Sequence, residues 1–184
     1  DRSGSILIYD TRTTGDPLVI EGAMVNPVFS MDFSGDQAYL AAGDMRGDVR
    51  LYSVGDWEEV ASLRGNDARI KEIKFSGDSK YLASTGYDGK VLMWDMSDLN
   101  NSPLVLEDNR GFVFTVDFSP DSQYMVSGSS EASRLVARPV RADLLVTDLC
   151  KLIERNFTRE EWKIYVGTDI GYRETCLLQT TQKQ

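Results

Sequence analysis

The chain contains no histidine, and that absence removes a good deal of chemistry. Without an imidazole there is no Ser-His or Cys-His pair to generate a nucleophile. Cysteine is scarce as well: Cys150 and Cys176 are the only two. Two are too few for a disulfide scaffold, and too few for a closed four-ligand zinc site unless carboxylates help. Buried free thiols are the expected state, with a single disulfide as the alternative. No apolar run approaches the roughly 18 residues of a membrane span, so no membrane partner is expected. There is no G-x-S-x-G elbow, no Gly-rich phosphate loop and no EF-hand ladder. No catalytic residue, metal ligand or cofactor can therefore be assigned. No secretory signal opens the sequence, and a cytoplasmic location is expected. Asp1 stands inside a motif, so the native N-terminus is expected to lie further upstream.

Positive charge is also in short supply. The net charge is −9, from 20 Lys and Arg against 29 Asp and Glu. The imbalance is local: residues 1–140 carry 13 basic and 22 acidic side chains, and residues 141–184 carry 7 of each. An acidic surface repels a phosphate backbone, so no nucleic-acid partner is expected.

What the chain does have is a repeat. Residues 70–96 read as three short strands separated by the tight turns Gly77-Asp78 and Asp88-Gly89, and they close on Trp94-Asp95. Gly and Asp suit the positive φ of hairpin turns. Phe75-Ser76-Gly77-Asp78 has counterparts in Phe33-Ser34-Gly35-Asp36 and Phe118-Ser119-Pro120-Asp121, at spacings of 42 and 43 residues. Tyr39, Tyr81 and Tyr124 follow each Asp by three residues. A period of about 40–45 with four strands per unit is that of a propeller blade. The chain then opens part-way through one blade, with strands at 6–10 and 18–20. A full blade follows at 28–33, 38–43, 49–54 and 59–63, then the copy at 70–96 with its fourth strand at 103–106. The last blade has strands at 112–118 and 124–128 and degenerates after them: Glu131-Ala132 replaces Asp-Gly, and Ala137-Arg138 replaces Trp-Asp. Pro139 makes 134–140 an edge strand. Asp36, Asp78 and Asp121 recur at one turn position per blade, which geometry explains better than paired catalytic carboxylates.

These elements resemble the WD-repeat family over about residues 1–140. The resemblance implies an all-β fold of β-propeller blades. It also implies structural roles for Ser84, Asp88 and Trp94, three members of the hydrogen-bonded set that ties such blades together. The fourth, a Gly-His histidine, is missing: Gly65-Asn66 and Arg110-Gly111 stand in its place. The blades are then expected to rely more on packing, and Trp94 to find another partner for its indole N–H. Propellers close with about 4–8 blades. Two full and two partial blades make a partial ring, whose expected partners are remaining blades of the same protein or identical chains.

Beyond 140 the period becomes helical. Leu145, Leu149, Leu152 and Ile153 fall on one stripe. Thr158 and Glu161 form a capping box, with Phe157 and Trp162 at the staple positions of a helix that buries Trp162, Tyr165 and Val166 and stops at Gly167. Residues 1–140 are thus read as blades, and 141–184 as a short α-helical C-terminal cap. Arg155-Asn156-Phe157-Thr158, Glu161-Trp162, Tyr165, Gly167 and Tyr172 to Cys176 resemble the ending of bacterial multidomain WD-repeat proteins. That resemblance implies a larger bacterial signalling protein, and a returning tail that brings Cys150 and Cys176 near each other.

The function expected is a non-enzymatic interaction or sensor module that binds a protein or peptide. The alternative is part of a propeller enzyme whose catalytic residues lie in blades or domains outside this sequence. Residues in rim loops that the repeat does not explain are the candidate contacts: Met45, Arg46 and Tyr87 before third strands, and Arg69 and Phe112 before first strands. Aromatic and Arg side chains are favoured at hot spots.

Overall fold

A computed structural model describes residues 4–107, 111–131, 135–141, 144, 150, 155–165, 171–172, 174 and 176. The chain divides into two compact units, Asp1–Arg138 and Pro139–Gln184. Among the described residues the first holds four antiparallel sheets in chain order. β1 (Ile6–Ile8) pairs with β2 (Leu18–Ile20). β3 (Val28–Phe33), β4 (Tyr39–Asp44), β5 (Asp48–Ser53) and β6 (Glu59–Arg64) form a four-stranded meander. β7 (Ile70–Phe75), β8 (Tyr81–Gly86), β9 (Val91–Asp95) and β10 (Leu104–Leu106) repeat it. β11 (Val113–Phe118), β12 (Tyr124–Ser129) and β13 (Leu135–Pro139) form the last sheet. β13 is an edge strand, where the missing N–H of Pro139 interrupts no central ladder.

The repeated Ser-x-Asp turn explains why each blade folds alike. Ser34, Ser76 and Ser119 each donate their hydroxyl to the Asp two residues on, at 2.6, 2.8 and 2.6 Å. The same oxygens accept the N–H of Tyr39, Tyr81 and Tyr124 at 2.9, 3.0 and 2.9 Å. Gln37, Ser79 and Ser122 take the left-handed conformation that completes the turn. The Ser34 hydroxyl, then the Ala38 N–H, holds Asp36 below the usual carboxylate pKa; Ser119 and Gln123 do the same for Asp121. All three recurrent carboxylates therefore lock turns.

The same residues tie one blade to the next. The Asp36 N–H donates to Ser79 Oγ at 3.0 Å, and the Asp78 N–H to Ser122 Oγ at 3.1 Å. The first strands β3, β7 and β11 lie side by side along one flank. Each is a sheet edge with N–H groups that its own ladder does not use. Ser30 Oγ accepts from the Ile73 N–H at 2.9 Å, Asp32 Oδ2 from the Phe75 N–H at 2.9 Å, and Glu72 Oε2 from the Val116 N–H at 2.8 Å. Side chains of one inner strand thus satisfy the open edge of the next.

Between the two complete blades Leu51, Leu63, Ile70, Ile73, Leu82, Leu92 and Trp94 are buried in one core. Ile6, Met24, Leu40 and Tyr52 form a second core against the first sheet, where the Tyr52 hydroxyl donates to the Ala23 carbonyl. Two turns require glycine. Gly47 and Gly89 have φ of 92° and 79°, and a Cβ there would meet the carbonyl oxygens of Asn66 and Gly111 at 2.2 and 2.9 Å.

In the second unit Cys150 and Cys176 form a disulfide with Cα atoms 5.4 Å apart. The expectation of buried free thiols is corrected here. Asn156 accounts for the approach of the tail: its amide donates to the Cys176 carbonyl at 2.8 Å and accepts the Cys176 N–H at 2.9 Å. The capping box forms, the Glu161 N–H reaching Thr158 Oγ1 at 3.2 Å and the Thr158 N–H reaching Glu161 Oε2 at 2.8 Å. It opens helix α1 (Arg159–Tyr165), in which Trp162 is buried and packs edge-on against Tyr172. Arg155 grips Glu161 with two bonds of 2.7 Å. This grip, then the Thr158 N–H, lowers the Glu161 pKa to about 2. The helix expected over Leu145, Leu149, Leu152 and Ile153, and the helix end at Val166 and Gly167, lie outside the described residues.

Candidate interaction surface

Ser84, Asp88 and Trp94 sit in the third sheet or the turn beside it, and the structure supplies the partner that the missing histidine left open. Asn66, 4% exposed, accepts the Ser84 hydroxyl on Oδ1 at 2.5 Å. Its Nδ2 donates to both oxygens of Asp88 at 3.1 Å. The Asp67 and Lys90 N–H groups complete the Asp88 shell at 2.8 and 3.1 Å. The expectation that this blade relies on packing instead is corrected: an amide carries one acceptor and two donors, enough to bridge hydroxyl and carboxylate. Trp94 is buried in the core, and its indole N–H finds no hydrogen-bond partner among the described residues, contrary to expectation. The preceding blade has a related pair, with Asn26 Nδ2 donating to Asp44 Oδ2 at 2.8 Å.

The five rim residues lie at one end of the strands, where second strands turn into third strands and first strands begin. Equivalent backbone bonds place them: the Met45 N–H donates to the Pro27 carbonyl, Tyr87 to Arg69, and Ser130 to Phe112, at 3.2, 3.1 and 2.9 Å. Arg69, Tyr87 and Phe112 come together. The Arg69 guanidinium carbon lies 4.2 Å from the centre of the Tyr87 ring. Tyr87 in turn lies 4.8 Å from Phe112, centre to centre. Met45, 47% exposed, and the exposed Arg46 share the rim one blade earlier and take no part in this stack.

Two further members were not evident in the sequence. The Arg69 guanidinium carbon also lies over the Phe29 ring, 4.7 Å from its centre. Phe114 packs against Tyr87 and Phe112 at 6.0 and 6.4 Å. The sequence places both within first strands. The pairing of each first strand skips one residue near its start: Phe29 between Val28 and Ser30, Lys71 between Ile70 and Glu72, and Phe114 between Val113 and Thr115. A bulge re-aims the extra side chain, and here it turns Phe29 and Phe114 outward, 46% and 39% exposed. The signal available was the Val-Phe-x-x-Asp-Phe pattern shared by 28–33 and 113–118 and broken by Lys71 in the middle copy.

Beside the stack lies a cleft of about 420 Å³ whose lining includes Tyr87, Asp88, Lys90, Glu107 and Phe112. Lys90 bridges Asp67 at 2.9 Å and Glu107 at 3.3 Å, and those two carboxylates, Asp67 first, hold its pKa above the ordinary value. Among the described residues no group of three or more His, Cys, Asp or Glu side chains is placed to hold a metal ion. None of the described helices is long and apolar enough to cross a membrane. The rim offers stacking, apolar area and a guanidinium, which is binding chemistry.

Consecutive four-stranded meanders, linked by recurring turns and inner-edge bonds, define a repeat scaffold of β-propeller blades. The family model described as WD domain, G-beta repeat matches residues 18–53, 57–95 and 101–133. The chain belongs to that family. WD repeats generally form scaffolds for protein–protein interaction and are typically non-catalytic. No curated protein matches the chain.

Proposed function

We propose that this chain is a non-enzymatic interaction or sensor module that binds a protein or peptide through the rim formed by Phe29, Arg69, Tyr87, Phe112 and Phe114. The observation that carries the proposal is the contact of Arg69 with two aromatic rings from neighbouring blades, next to two further exposed phenylalanines. Arg and aromatic side chains dominate binding energy at protein interfaces, and stacking holds them in place before a partner arrives. Met45 and Arg46 extend the same rim. A photo-crosslinking side chain placed at Phe112 or at Met45 tests this: it should capture a partner that the same group at Glu58, on the opposite rim, does not.

The larger setting proposed is a bacterial signalling protein, supported by the tail that runs from Arg155 to Cys176. Further blades, from the same polypeptide or from identical chains, would cover the apolar surface of β3. Met31 and Phe33 are 50% and 51% exposed there, whereas Ile73 and Phe75, at the same positions of the next blade, are 1% and 7% exposed. A cytoplasmic location is part of the proposal. The Cys150–Cys176 bridge weighs against it, because oxidising compartments favour such bonds. Alkylation in intact cells separates the two: free thiols support the cytoplasm, and a bridge already present at lysis rejects it.

A further inference from the structure

We propose that the rim binds a peptide in which an Asp or Glu carboxylate neighbours an aromatic side chain, the carboxylate taking Arg69 and the aromatic ring lying on Phe112 and Phe114. This rests on the rim being the interaction face.

Arg69 carries the specificity. Three other described arginines of the blades are paired within the chain, Arg12 with Asp10, Arg50 with Glu59 and Arg64 with Asp48, while Arg46 is exposed on the rim and Arg138 donates to Ser127. The Arg69 guanidinium has no carboxylate or hydrogen-bond partner among the described residues, in a chain where acidic side chains outnumber basic ones by 29 to 20. Its guanidinium carbon lies over two rings, Phe29 at 4.7 Å and Tyr87 at 4.2 Å. Contact with the rings spends none of its N–H donors on a hydrogen bond, and those donors form the fork that matches a carboxylate. The stack also fixes the side chain, so little rotamer entropy remains to be lost on binding. Lys71, the bulge residue of the same blade, is exposed and likewise lacks a carboxylate partner among the described residues.

The surroundings narrow the ligand. Three nearby carboxylates are already engaged, Asp88 by Asn66 and two backbone N–H groups and Asp67 and Glu107 by Lys90, while Glu131 lies against Gly111 beside Phe112. This acidic cleft lies beside Arg69 and is not lined by it, so it opposes a row of negative groups and leaves room for one at Arg69. A single-stranded nucleic acid would stack on the rings but needs a basic track for its phosphates. A phosphorylated side chain brings about two charges toward Asp88 and Glu107. One carboxylate fits, and the exposed Phe112 and Phe114 beside it offer a platform for an adjacent ring.

The test uses the full chain and a synthetic array of octapeptides blocked at both ends, with Glu-Trp, Gln-Trp, Lys-Trp, phosphoserine-Trp or Glu-Gly at the centre. Fluorescence anisotropy should show Glu-Trp binding about tenfold more tightly than Gln-Trp, as expected for a charge-assisted bidentate contact. Glu-Gly should fall by a similar factor. R69K keeps the charge and loses the stacked fork, and it should remove the preference for Glu over Gln; thermal unfolding verifies that the variant is folded. Equal affinity for Glu-Trp and Gln-Trp overturns the inference, as does tighter binding of Lys-Trp or phosphoserine-Trp, or an R69K protein that keeps the preference. Peptides that bind without a carboxylate preference yet are lost in Y87A would leave the rim as an interaction face and remove only this inference. Absence of any peptide whose binding depends on Tyr87 removes both.

Discussion

The amide of Asn66 lies across the carboxylate of Asp88, its Nδ2 at 3.1 Å from each oxygen, while its Oδ1 takes the hydroxyl of Ser84. One buried side chain thereby does the work of the absent histidine. N66L should leave the buried Ser84 hydroxyl and part of the Asp88 shell without a partner, at about 1–3 kcal/mol for each group. N66H should retain more stability than N66L, because a ring nitrogen can serve each side. Urea denaturation of the three proteins checks the order.

Gly89 sits at φ 79° with the Gly111 carbonyl where a Cβ would go. G89A should destabilise the blades by at least about 1–2 kcal/mol from the left-handed conformation alone. Gly15 has no such constraint, with a Cβ site that meets only the Thr13 hydroxyl at 3.9 Å. G15A should be near neutral, and paired thermal melts compare the two.

The blade pattern was legible because turns repeat. Ser34, Ser76 and Ser119 with their Asp partners are local chemistry, and local chemistry shows in sequence. The rim was legible where it used loop residues that break the repeat, as Arg69, Tyr87 and Phe112 do. Phe29 and Phe114 were not, because strict alternation along a strand assigns their side chains without allowing for a bulge, and the bulge is a property of pairing with β4 and β12. Asn66 departs from the family pattern, but its role depends on Ser84 and Asp88 some 20 residues away meeting it in space.

The tail should loosen in acid. The pKa of Glu161 is lowered from 4.5 to about 2 in the folded chain. A depressed carboxylate contributes stability that is complete above the unfolded value and lost as pH falls through the folded one. The cap should therefore weaken between about pH 4.5 and 2. Tryptophan fluorescence of the wild type should change over that window in a way that E161Q does not reproduce.

Reduction should destabilise the second unit. The bridge spans a sequence separation of 26 residues, for which loop closure gives roughly 3–4 kcal/mol. Proteolysis of the tail should accelerate after reduction and alkylation, and intact mass before reduction should show no free thiol.

The central claim, that one rim of the blades is the binding face, is tested most directly by partner affinity across paired variants. A partner captured by the rim crosslink is titrated against wild type, the double variant Y87A/F112A and the opposite-rim variant E58A. Loss of affinity by about tenfold or more in the rim variant alone, the scale of a hot spot, is the predicted result. Equal affinity for all three, or loss in E58A alone, would contradict the claim.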